Sequence, residues 1–376
     1  MYIKQKLLEK LHKIITSQKV IVIYGPRRTG KTTLINNYLS AYKEKFLLLN
    51  GDDIDVREKV DTQSIVKLKN LVGDNKLIVI DEAQKIPNIG LNLKIMVDNI
   101  KGLKIIATGS SSFDLANQIG EPLVGRKFTL SLFPLAQLEI NQIENLIETK
   151  SNLENRLIYG SYPEIVITTD NALRERYLKE IISSYLYKDI LELENIRHSN
   201  KISNLLRLIA FQIGHEVSFT ELASQLEINK NTIEKYLDLL EKCFVLFSLP
   251  GFSRNLRKEI TKNKRYYFYD NGIRNALINN FNPLNLRDDI GALWENYLIA
   301  ERLKKQEYLD IYSNNYFWRT YDQKEIDLIE ERSGCLFGYE IKWGNKKIKP
   351  PKDWLEAYAN ASFEIINQDN YLKFIC

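Results

Sequence analysis

The sequence predicts a protein of the α/β class, with a parallel sheet in its first third, a helical middle and a small α+β domain at the end. Three observations lead to this prediction. In the first third, apolar runs typical of buried strands alternate with helical patterns. Apolar residues at helical spacing dominate the middle, and a helix followed by a hairpin ends the chain. We place the domain limits at 1–135, 136–200, 201–270 and 271–376.

Composition sets the broad class of the protein. The chain has 376 residues, 44% of them apolar and 27% charged, so it can bury more than one core. Cys243, Cys335 and Cys376 form no CxxC pair, which disfavours a zinc–thiolate site or a disulfide framework. The net charge of +5 permits contact with nucleic acid without requiring it. The charged start is unlike a signal peptide and no run could span a bilayer, so we expect a cytoplasmic protein without a membrane partner.

The first elements are a helix, a strand and a glycine-rich loop. Leu7, Leu11 and Ile14 recur at helical spacing, and a buried strand from Val20 to Tyr24 follows. The next segment matches GxxxxGK(S/T) at every fixed position, and a helix comes after it. The segment and the residue that follows it are Gly25, Pro26, Arg27, Arg28, Thr29, Gly30, Lys31, Thr32 and Thr33.

A loop of this pattern binds nucleotide phosphates. Its backbone N–H groups and the next helix N-terminus surround the β-phosphate, and the glycines permit that close approach. Lys31 would reach the β- and γ-phosphates, and the Thr32 hydroxyl would bind Mg²⁺. We therefore predict ATP and Mg²⁺ as ligands. A glycine-rich turn is the alternative, which the preceding strand and the following helix disfavour.

An acidic pair ends a later strand of the same region. Asp81 and Glu82 follow the apolar run at 77–80. Residues at the carboxyl end of such a strand face the nucleotide crevice. Asp81 would complete the Mg²⁺ site, and Glu82 could orient and deprotonate the attacking water. Solvated acids in a turn are the alternative.

Two further strands add candidates. The run at 103–112 ends in small hydroxyl residues, and Thr108 or Ser110 could contact the γ-phosphate or the water. Ser110 could equally cap the next helix. Arg126 begins the last strand, and it could stabilise the charge that develops during phosphoryl transfer, in cis or towards a neighbouring subunit of a homo-oligomer. A surface arginine is the alternative.

With these motifs the chain resembles the prokaryotic AAA-type P-loop ATPases whose C-terminal half is a domain of unknown function. The resemblance extends along nearly the whole chain. It implies a P-loop NTPase fold with an AAA-like sheet, ATP hydrolysis, and a helical lid over the nucleotide after residue 135. The segments that carry it are YGPRRTGKTT, LIVIDEAQKIP, ATGSSSF, LVGRKFTLSLFPL and YGSYPEIV.

The sequence pattern in the second half of the middle region predicts a winged helix. Leu222 and Leu226 mark a short helix, Asn229 is suited to cap a second one, and two β-runs follow. Many DNA-binding domains have this shape. The second helix carries as many acids as bases, which weakens a phosphate-binding role, so DNA contact and a solvated basic loop both remain open. The basic residues of the loop between the β-runs are Arg254, Arg257, Lys258, Lys262, Lys264 and Arg265.

The end of the chain predicts a small α+β domain with a charged hairpin. Glu295 lies on a helix, Asp327 on one strand, and Glu340 and Lys342 on the return strand. Residues two apart on a strand point to the same face. This order resembles the metal centre of restriction-endonuclease-like folds, in which the carboxylates bind Mg²⁺ and the lysine helps to activate water. A solvated charged hairpin is the alternative.

Three functional hypotheses follow from these patterns. The first is an Mg²⁺-dependent ATPase that acts on DNA or is bound to it. The second is an ATP-controlled DNA-binding switch that does not cut. The third is a nucleotide-gated nuclease that uses the C-terminal residues. His12, His198 and His215 do not cluster in the sequence, so we predict no histidine-based site.

Overall fold

The structure is a computed structural model. It describes residues 2–16, 18–109, 122–186, 199–253, 264–320, 324–344, 349–358 and 360–376. Ser110 and the basic loop residues from Arg254 to Lys262 lie outside the described residues. Within these ranges, no helix is both long and apolar enough to cross a membrane.

The first third forms the predicted parallel sheet with helices around it. The strands are β1 (Val20–Tyr24), β2 (Phe46–Asn50), β3 (Leu77–Asp81), β4 (Lys104–Gly109) and β5 (Lys127–Ser131). The helices are α1 (Leu7–Ile14), α2 (Lys31–Ser40), α3 (Ile54–Val60), α4 (Ile65–Val72) and α5 (Ile89–Asn99). The strand order is β2-β3-β4-β1-β5, so β4 lies between the strand before the glycine-rich loop and the strand that ends in the acidic pair.

Burial on both faces explains why these runs form central strands. Every residue of β1 is buried, and alternate side chains enter different cores. Val20, Val22 and Tyr24 pack on one face of the sheet, and Ile21 and Ile23 pack on the other. The loop that follows β1 is therefore attached to a rigid support.

Short helices occupy the first part of the middle. They are α6 (Gln137–Ile140), α7 (Leu146–Ser151), α8 (Leu153–Tyr159), α9 (Pro163–Ile167) and α10 (Asn171–Glu180), which continues into a π-helical turn (Ile181–Leu186). The predicted break between Tyr159 and Pro163 is present, with Gly160 at φ +74°.

The second part of the middle alternates helices with a small sheet. Its elements are α11 (Ser199–Phe211), β6 (Glu216–Val217), α12 (Phe219–Leu226), α13 (Lys230–Lys242), β7 (Leu246–Leu249) and β8 (Lys264–Phe268). The strands are antiparallel in the order β6-β8-β7. The Asn229 side chain accepts a hydrogen bond of 2.8 Å from the backbone N–H of Asn231, which confirms the predicted N-cap of α13.

The last region contains a four-stranded sheet. The elements are α14 (Asn271–Leu277), α15 (Ile290–Tyr308), β9 (Asn314–Arg319), β10 (Glu325–Arg332), β11 (Cys335–Ile341), α16 (Lys352–Ala357), β12 (Ala361–Ile366) and α17 (Tyr371–Ile375). The strand order is β12-β11-β10-β9. β11 pairs with β10 in an antiparallel hairpin, as predicted, and with β12 in parallel.

The long helix α15 joins the three regions. The hydroxyl of its last residue, Tyr308, accepts a hydrogen bond of 3.1 Å from the backbone N–H of Phe133, in the core beside the parallel sheet. Glu301 accepts a hydrogen bond from the backbone N–H of Gln137. On the other side, Arg302 donates to Glu330 of β10 at 2.9 Å. One apolar cluster also runs from the helical middle into the C-terminal sheet, so these two regions share a core.

Candidate functional site

The glycine-rich loop owes its shape to two glycines. A Cβ atom on Gly25 would lie 2.0 Å from the carbonyl oxygen of Leu132, so no larger residue fits there without a shift of the backbone. Gly30 has φ +93°, in the left-handed region that glycine adopts readily. The Thr29 hydroxyl closes the loop by donating to the carbonyl of Pro26 at 2.9 Å. The loop therefore leads from β1 directly into the N-terminus of α2.

Lys31 and Thr32 stand at the start of α2. The Lys31 ammonium is buried and donates to the carbonyls of Gly25 and Pro26, at 2.8 Å each, which holds it against the loop. The Thr32 hydroxyl donates to Asp81 Oδ2 at 2.8 Å. A hydroxyl and a carboxylate in contact are oxygen ligands of the kind that Mg²⁺ prefers. These residues fit the Mg²⁺ ion of a bound nucleotide.

The strand order explains how Asp81 is oriented. Since β4 lies beside β3, Thr108 at its carboxyl end reaches the acidic pair. The Thr108 hydroxyl is buried and donates to Asp81 Oδ1. It also accepts a hydrogen bond of 3.3 Å from the backbone N–H of Glu82. Thr108 thus positions the predicted metal ligand.

Glu82 has an unusual backbone conformation for its residue type. Its φ is +50°, which is uncommon for a residue other than glycine. Gly51 makes room for it, because a Cβ there would lie 2.3 Å from the Glu82 carbonyl oxygen. The Gln84 amide donates to Glu82 Oε2 at 2.6 Å. Strained backbone held by its neighbours is typical of functional sites.

A cavity of about 890 Å³ brings these residues together. The predicted residues Arg27, Arg28, Gly30, Lys31, Thr32, Thr33 and Glu82 line one side. The segment from Pro163 to Thr168 and Tyr177, from the helical middle, line the other side, together with Tyr2 and Ile3. Gln5 ties this N-terminal segment to the loop by donating to the carbonyl of Thr29 at 2.9 Å. Sequence reasoning missed the N-terminal segment, which has no recognisable motif.

Arg126 does not belong to this cavity. It precedes β5, whose first residue pairs with Val20, and therefore lies at the amino ends of the parallel strands. The loop follows the opposite end of β1, roughly 15 Å away over five residues. Arg126 donates instead to Asp98 at 2.7 Å. The predicted role in cis is thus not supported, and the role towards a neighbouring subunit stays a prediction.

The predicted C-terminal residues do come together. Lys342 Nζ lies 2.7 Å from Glu340 Oε1 and 3.9 Å from Asp327 Oδ2. Asp327 also accepts a hydrogen bond of 2.8 Å from the backbone N–H of Ile341. Glu295 reaches the same cluster from α15 through Arg265. Burial and the neighbouring Asp327 raise the pKa of Glu295 to about 8 and that of Glu340 to about 7.

A metal ion does not fit this cluster as it stands. Arg265, which we predicted in the exposed basic loop, lies on β8 with its guanidinium buried among the carboxylates. Across the part of the chain that the structure describes, no three Asp, Glu, His or Cys side chains are arranged to hold a metal ion. The described residues therefore form a carboxylate cluster compensated by basic side chains, and the nuclease role of these residues stays a prediction.

Comparison with protein families divides the chain into three segments. Residues 17–141 match an AAA domain. Residues 150–284 match DUF8612 and residues 290–370 match DUF4143, both described as domains of unknown function. The AAA match contains the glycine-rich loop and the acidic pair.

Similar chains occur in bacteria and archaea. An uncharacterised protein of Mycobacterium tuberculosis is 27% identical over 89% of this chain and 72% of its own length. Another from Methanocaldococcus jannaschii is 25% identical over 95% of this chain and 82% of its own. A third, from Haemophilus influenzae, is 26% identical over 90% of this chain and 86% of its own.

A solved structure also matches weakly. It is a Signal Transduction ATPase with Numerous Domains, with a tetratricopeptide repeat sensor, from Pyrococcus horikoshii. It is 12% identical, with a TM-score of 0.32. The match covers 82% of this chain and 48% of that one, so this chain spans about half the length of that protein.

Proposed function

We propose that this chain, which joins a P-loop ATPase domain of the AAA type to a C-terminal DUF4143 domain, binds ATP and hydrolyses it. One observation carries the proposal. Lys31, Thr32 and Glu82 line a single cavity, and Thr32 is hydrogen-bonded to Asp81 at its edge. A cation for the phosphates, ligands for Mg²⁺ and a carboxylate base are the groups that this reaction needs.

The phosphates would lie over the loop and the N-terminus of α2. Lys31 would compensate the charge of the β- and γ-phosphates, and the loop N–H groups would bind their oxygens. Thr32 and Asp81 would hold Mg²⁺, which neutralises phosphate charge when it is bound. Thr108 keeps the Asp81 carboxylate turned towards Thr32.

Glu82 would act on the attacking water. Its carboxylate accepts a proton as the water oxygen bonds to the γ-phosphorus and the bond to the β–γ bridging oxygen breaks. The products are ADP and inorganic phosphate. Gln84, through its 2.6 Å hydrogen bond, fixes the rotation of the carboxylate.

The base of the nucleotide would lie between the N-terminal segment and the helical middle. Tyr2 and Tyr177 offer aromatic rings to this part of the cavity, and Ile3, Leu135 and Ile167 offer apolar surface. A purine favours flat and apolar neighbours. The helical residues therefore act as the lid that the family resemblance implies.

Affinity for a fluorescent ATP analogue tests nucleotide binding. Lys31→Ala should raise the dissociation constant at least tenfold, because it removes the cation beside the phosphates. Lys43→Ala is the matched control, since Lys43 is exposed and lies beyond the cavity. If Lys31→Ala binds the analogue as tightly as Lys43→Ala, nucleotide does not bind at this loop.

A second candidate is an ATP-controlled switch that binds DNA without cutting it. The element order from α11 to β8 favours it, since helix, strand, two helices and two strands is a winged-helix order. Lys230 and Asn231 are exposed at the start of α13, the end that meets bases in such domains.

Duplex binding measured with and without an ATP analogue tests the switch. We expect weaker binding in Lys230→Glu and unchanged binding in the control Lys101→Glu, an exposed lysine of the AAA domain. Equal affinities for both variants, or none for the wild type in either nucleotide state, would exclude α13 as a DNA-binding helix.

A further inference from the structure

One arginine connects the middle region to the C-terminal charge cluster. Arg265 of β8 points into it, with its side chain 5% exposed. Its Nη2 donates to Glu325 Oε2 at 2.6 Å. Its Nη1 lies 3.7 Å from Asp327 Oδ1 and 3.9 Å from Glu295 Oε1. Three carboxylates from α15 and β10 thus converge on one guanidinium.

An aromatic ring holds the guanidinium in place. The Arg265 guanidinium lies 4.5 Å from the centre of the Phe317 ring, a cation–π contact. Burial disfavours its charged form, but Tyr267, Glu295, Glu325 and Asp327 outweigh burial and raise the pKa of Arg265. The side chain is therefore a permanent positive charge in this cluster.

The carboxylates around it already have partners. Tyr267 donates its hydroxyl hydrogen to Glu295 Oε1 at 2.7 Å. Asp327 Oδ2 accepts from the Ile341 backbone, and Glu340 Oε1 lies 2.7 Å from Lys342. An ion such as Mg²⁺ needs carboxylate oxygens at about 2.0–2.1 Å, free to turn towards it. Here the hydrogen bonds and Arg265 direct the oxygens of Glu295, Glu325 and Asp327 elsewhere. Among the described residues, Glu340 Oε2 is the only carboxylate oxygen of this cluster that is buried without a hydrogen-bond partner.

We propose that Arg265 is the built-in cation of this cluster, and that its guanidinium takes the place among the carboxylates that a hydrolytic metal ion would need. The cluster is then an ionic joint between β8 and the C-terminal sheet. It holds β8 against Asp327 and Glu295. Divalent metal is not required for this joint and does not bind to it while Arg265 is present.

The charge balance supports this assignment. Arg265 and Lys342 supply two positive charges against four carboxyl groups, of which Glu295 and Glu340 have a pKa raised to about 8 and about 7, so that Glu325 and Asp327 carry most of the negative charge near neutral pH. Removal of Arg265 leaves Glu295, Glu325 and Asp327 without their shared cation. Buried carboxylates that lose a cation take up another one or become protonated. A variant without Arg265 should therefore gain affinity for a divalent ion.

Mn²⁺ binding to the nucleotide-free full-length chain, followed by electron paramagnetic resonance, tests the proposal. The wild type and Asp327→Asn should bind Mn²⁺ equally, since any ion held by Thr32 and Asp81 persists in both. Arg265→Met should bind Mn²⁺ at least tenfold more tightly than the wild type. Adding Asp327→Asn to Arg265→Met should abolish that gain.

Two further variants keep the test decisive. Arg319→Met is the matched control and should gain no Mn²⁺ affinity. Arg319 lies on β9, the strand beside β10, and it pairs with Glu216 of β6 at 3.0 Å. Arg265→Gln provides a polar replacement in case the methionine variant does not fold, and should show the same gain. Mn²⁺ bound by the wild type and lost in Asp327→Asn would overturn the proposal, as would neutral Arg265 variants that fold and gain no affinity.

Discussion

At the scale of single residues, the proposed nucleotide site depends on a hydrogen bond that orients Asp81, the proposed metal ligand. Asp81 has one oxygen bonded to Thr32 and the other to Thr108. Thr32 belongs to the loop motif and would itself bind the ion. Thr108 is buried and would act only through Asp81.

Thr108→Val should therefore lower the affinity for the Mg²⁺ that ATP turnover requires. A hydrogen bond to a charged group contributes about 1.5–3 kcal/mol, so we expect the Mg²⁺ concentration for half-maximal rate to rise roughly tenfold or more. Thr108→Ser, which keeps the hydroxyl, should restore it. Thr62→Val is the control, because the Thr62 hydroxyl is buried and has no hydrogen-bond partner among the residues that the structure describes. An unchanged Mg²⁺ profile in Thr108→Val would show that Asp81 is positioned without it.

The site residues that could be predicted from the sequence belong to local motifs, whereas those that could not be predicted are defined by tertiary contacts. Lys31, Thr32, Asp81 and Glu82 follow strand ends at fixed spacing, so local pattern was enough to find them. Arg265 gives no such signal, because its carboxylates come from distant elements that only the tertiary fold brings together. Its neighbours in the sequence instead suggested an exposed basic loop.

At the scale of elements, the turn between α8 and α9, the helices of the proposed lid, is attached to the start of α14. Asp270 accepts a hydrogen bond of 2.7 Å from the backbone N–H of Ser161 and another from Ile273. Gly160 lies against that carboxylate, and a Cβ there would be 2.0 Å from Asp270 Oδ1. This turn thus depends on a glycine for its close approach to Asp270.

Gly160→Ala should destabilise the protein and weaken ATP binding together. It adds a steric clash to a φ of +74°, and we expect a loss of about 2–4 kcal/mol in the free energy of unfolding. Gly73→Ala separates the steric clash from the backbone strain of a positive φ. Gly73 has φ +53°, but no described atom lies within 4 Å of an added Cβ. Thermal melting of both variants gives the comparison. A Gly160→Ala protein no less stable than Gly73→Ala would contradict the close contact with Asp270.

Elements with strong periodicity were predicted well, and those defined by pairing were not. β1, β3 and β4 are apolar on both faces, and the β10–β11 hairpin has a clear turn, with Ser333 and Gly334 both at positive φ. β6 has only two residues and exists because it pairs with β8. Such a strand has no pattern of its own.

At the scale of the whole molecule, α15 and the shared core should couple the nucleotide site to the C-terminal sheet. The helix accepts a backbone hydrogen bond from the AAA side at Glu301 and binds Glu330 of the C-terminal sheet through Arg302. All four tryptophans lie in the C-terminal region, so their fluorescence reports on that region alone; they are Trp294, Trp318, Trp343 and Trp354.

A non-hydrolysable ATP analogue with Mg²⁺ should therefore raise the melting temperature seen by tryptophan fluorescence. Ligand at a hundred times its dissociation constant stabilises the state that binds it by about 2.7 kcal/mol. For a cooperative unit of this size we expect a rise of about 3 °C or more. Lys31→Ala should show no rise. If the ATP analogue raises the melting temperature seen by circular dichroism but leaves the one seen by tryptophan fluorescence unchanged, the two ends of the chain unfold independently.

Phosphate release from ATP is the measurement that tests the central claim most directly. The wild type should release phosphate only with Mg²⁺, and Glu82→Gln should lower the rate at least a hundredfold at unchanged ATP affinity, within the range expected for loss of a general base. Glu58→Gln, an exposed glutamate of α3, should keep the wild-type rate. Hydrolysis by Glu82→Gln at the rate of Glu58→Gln would contradict the assignment of Glu82, and an inactive wild type that binds ATP would contradict the proposed ATPase.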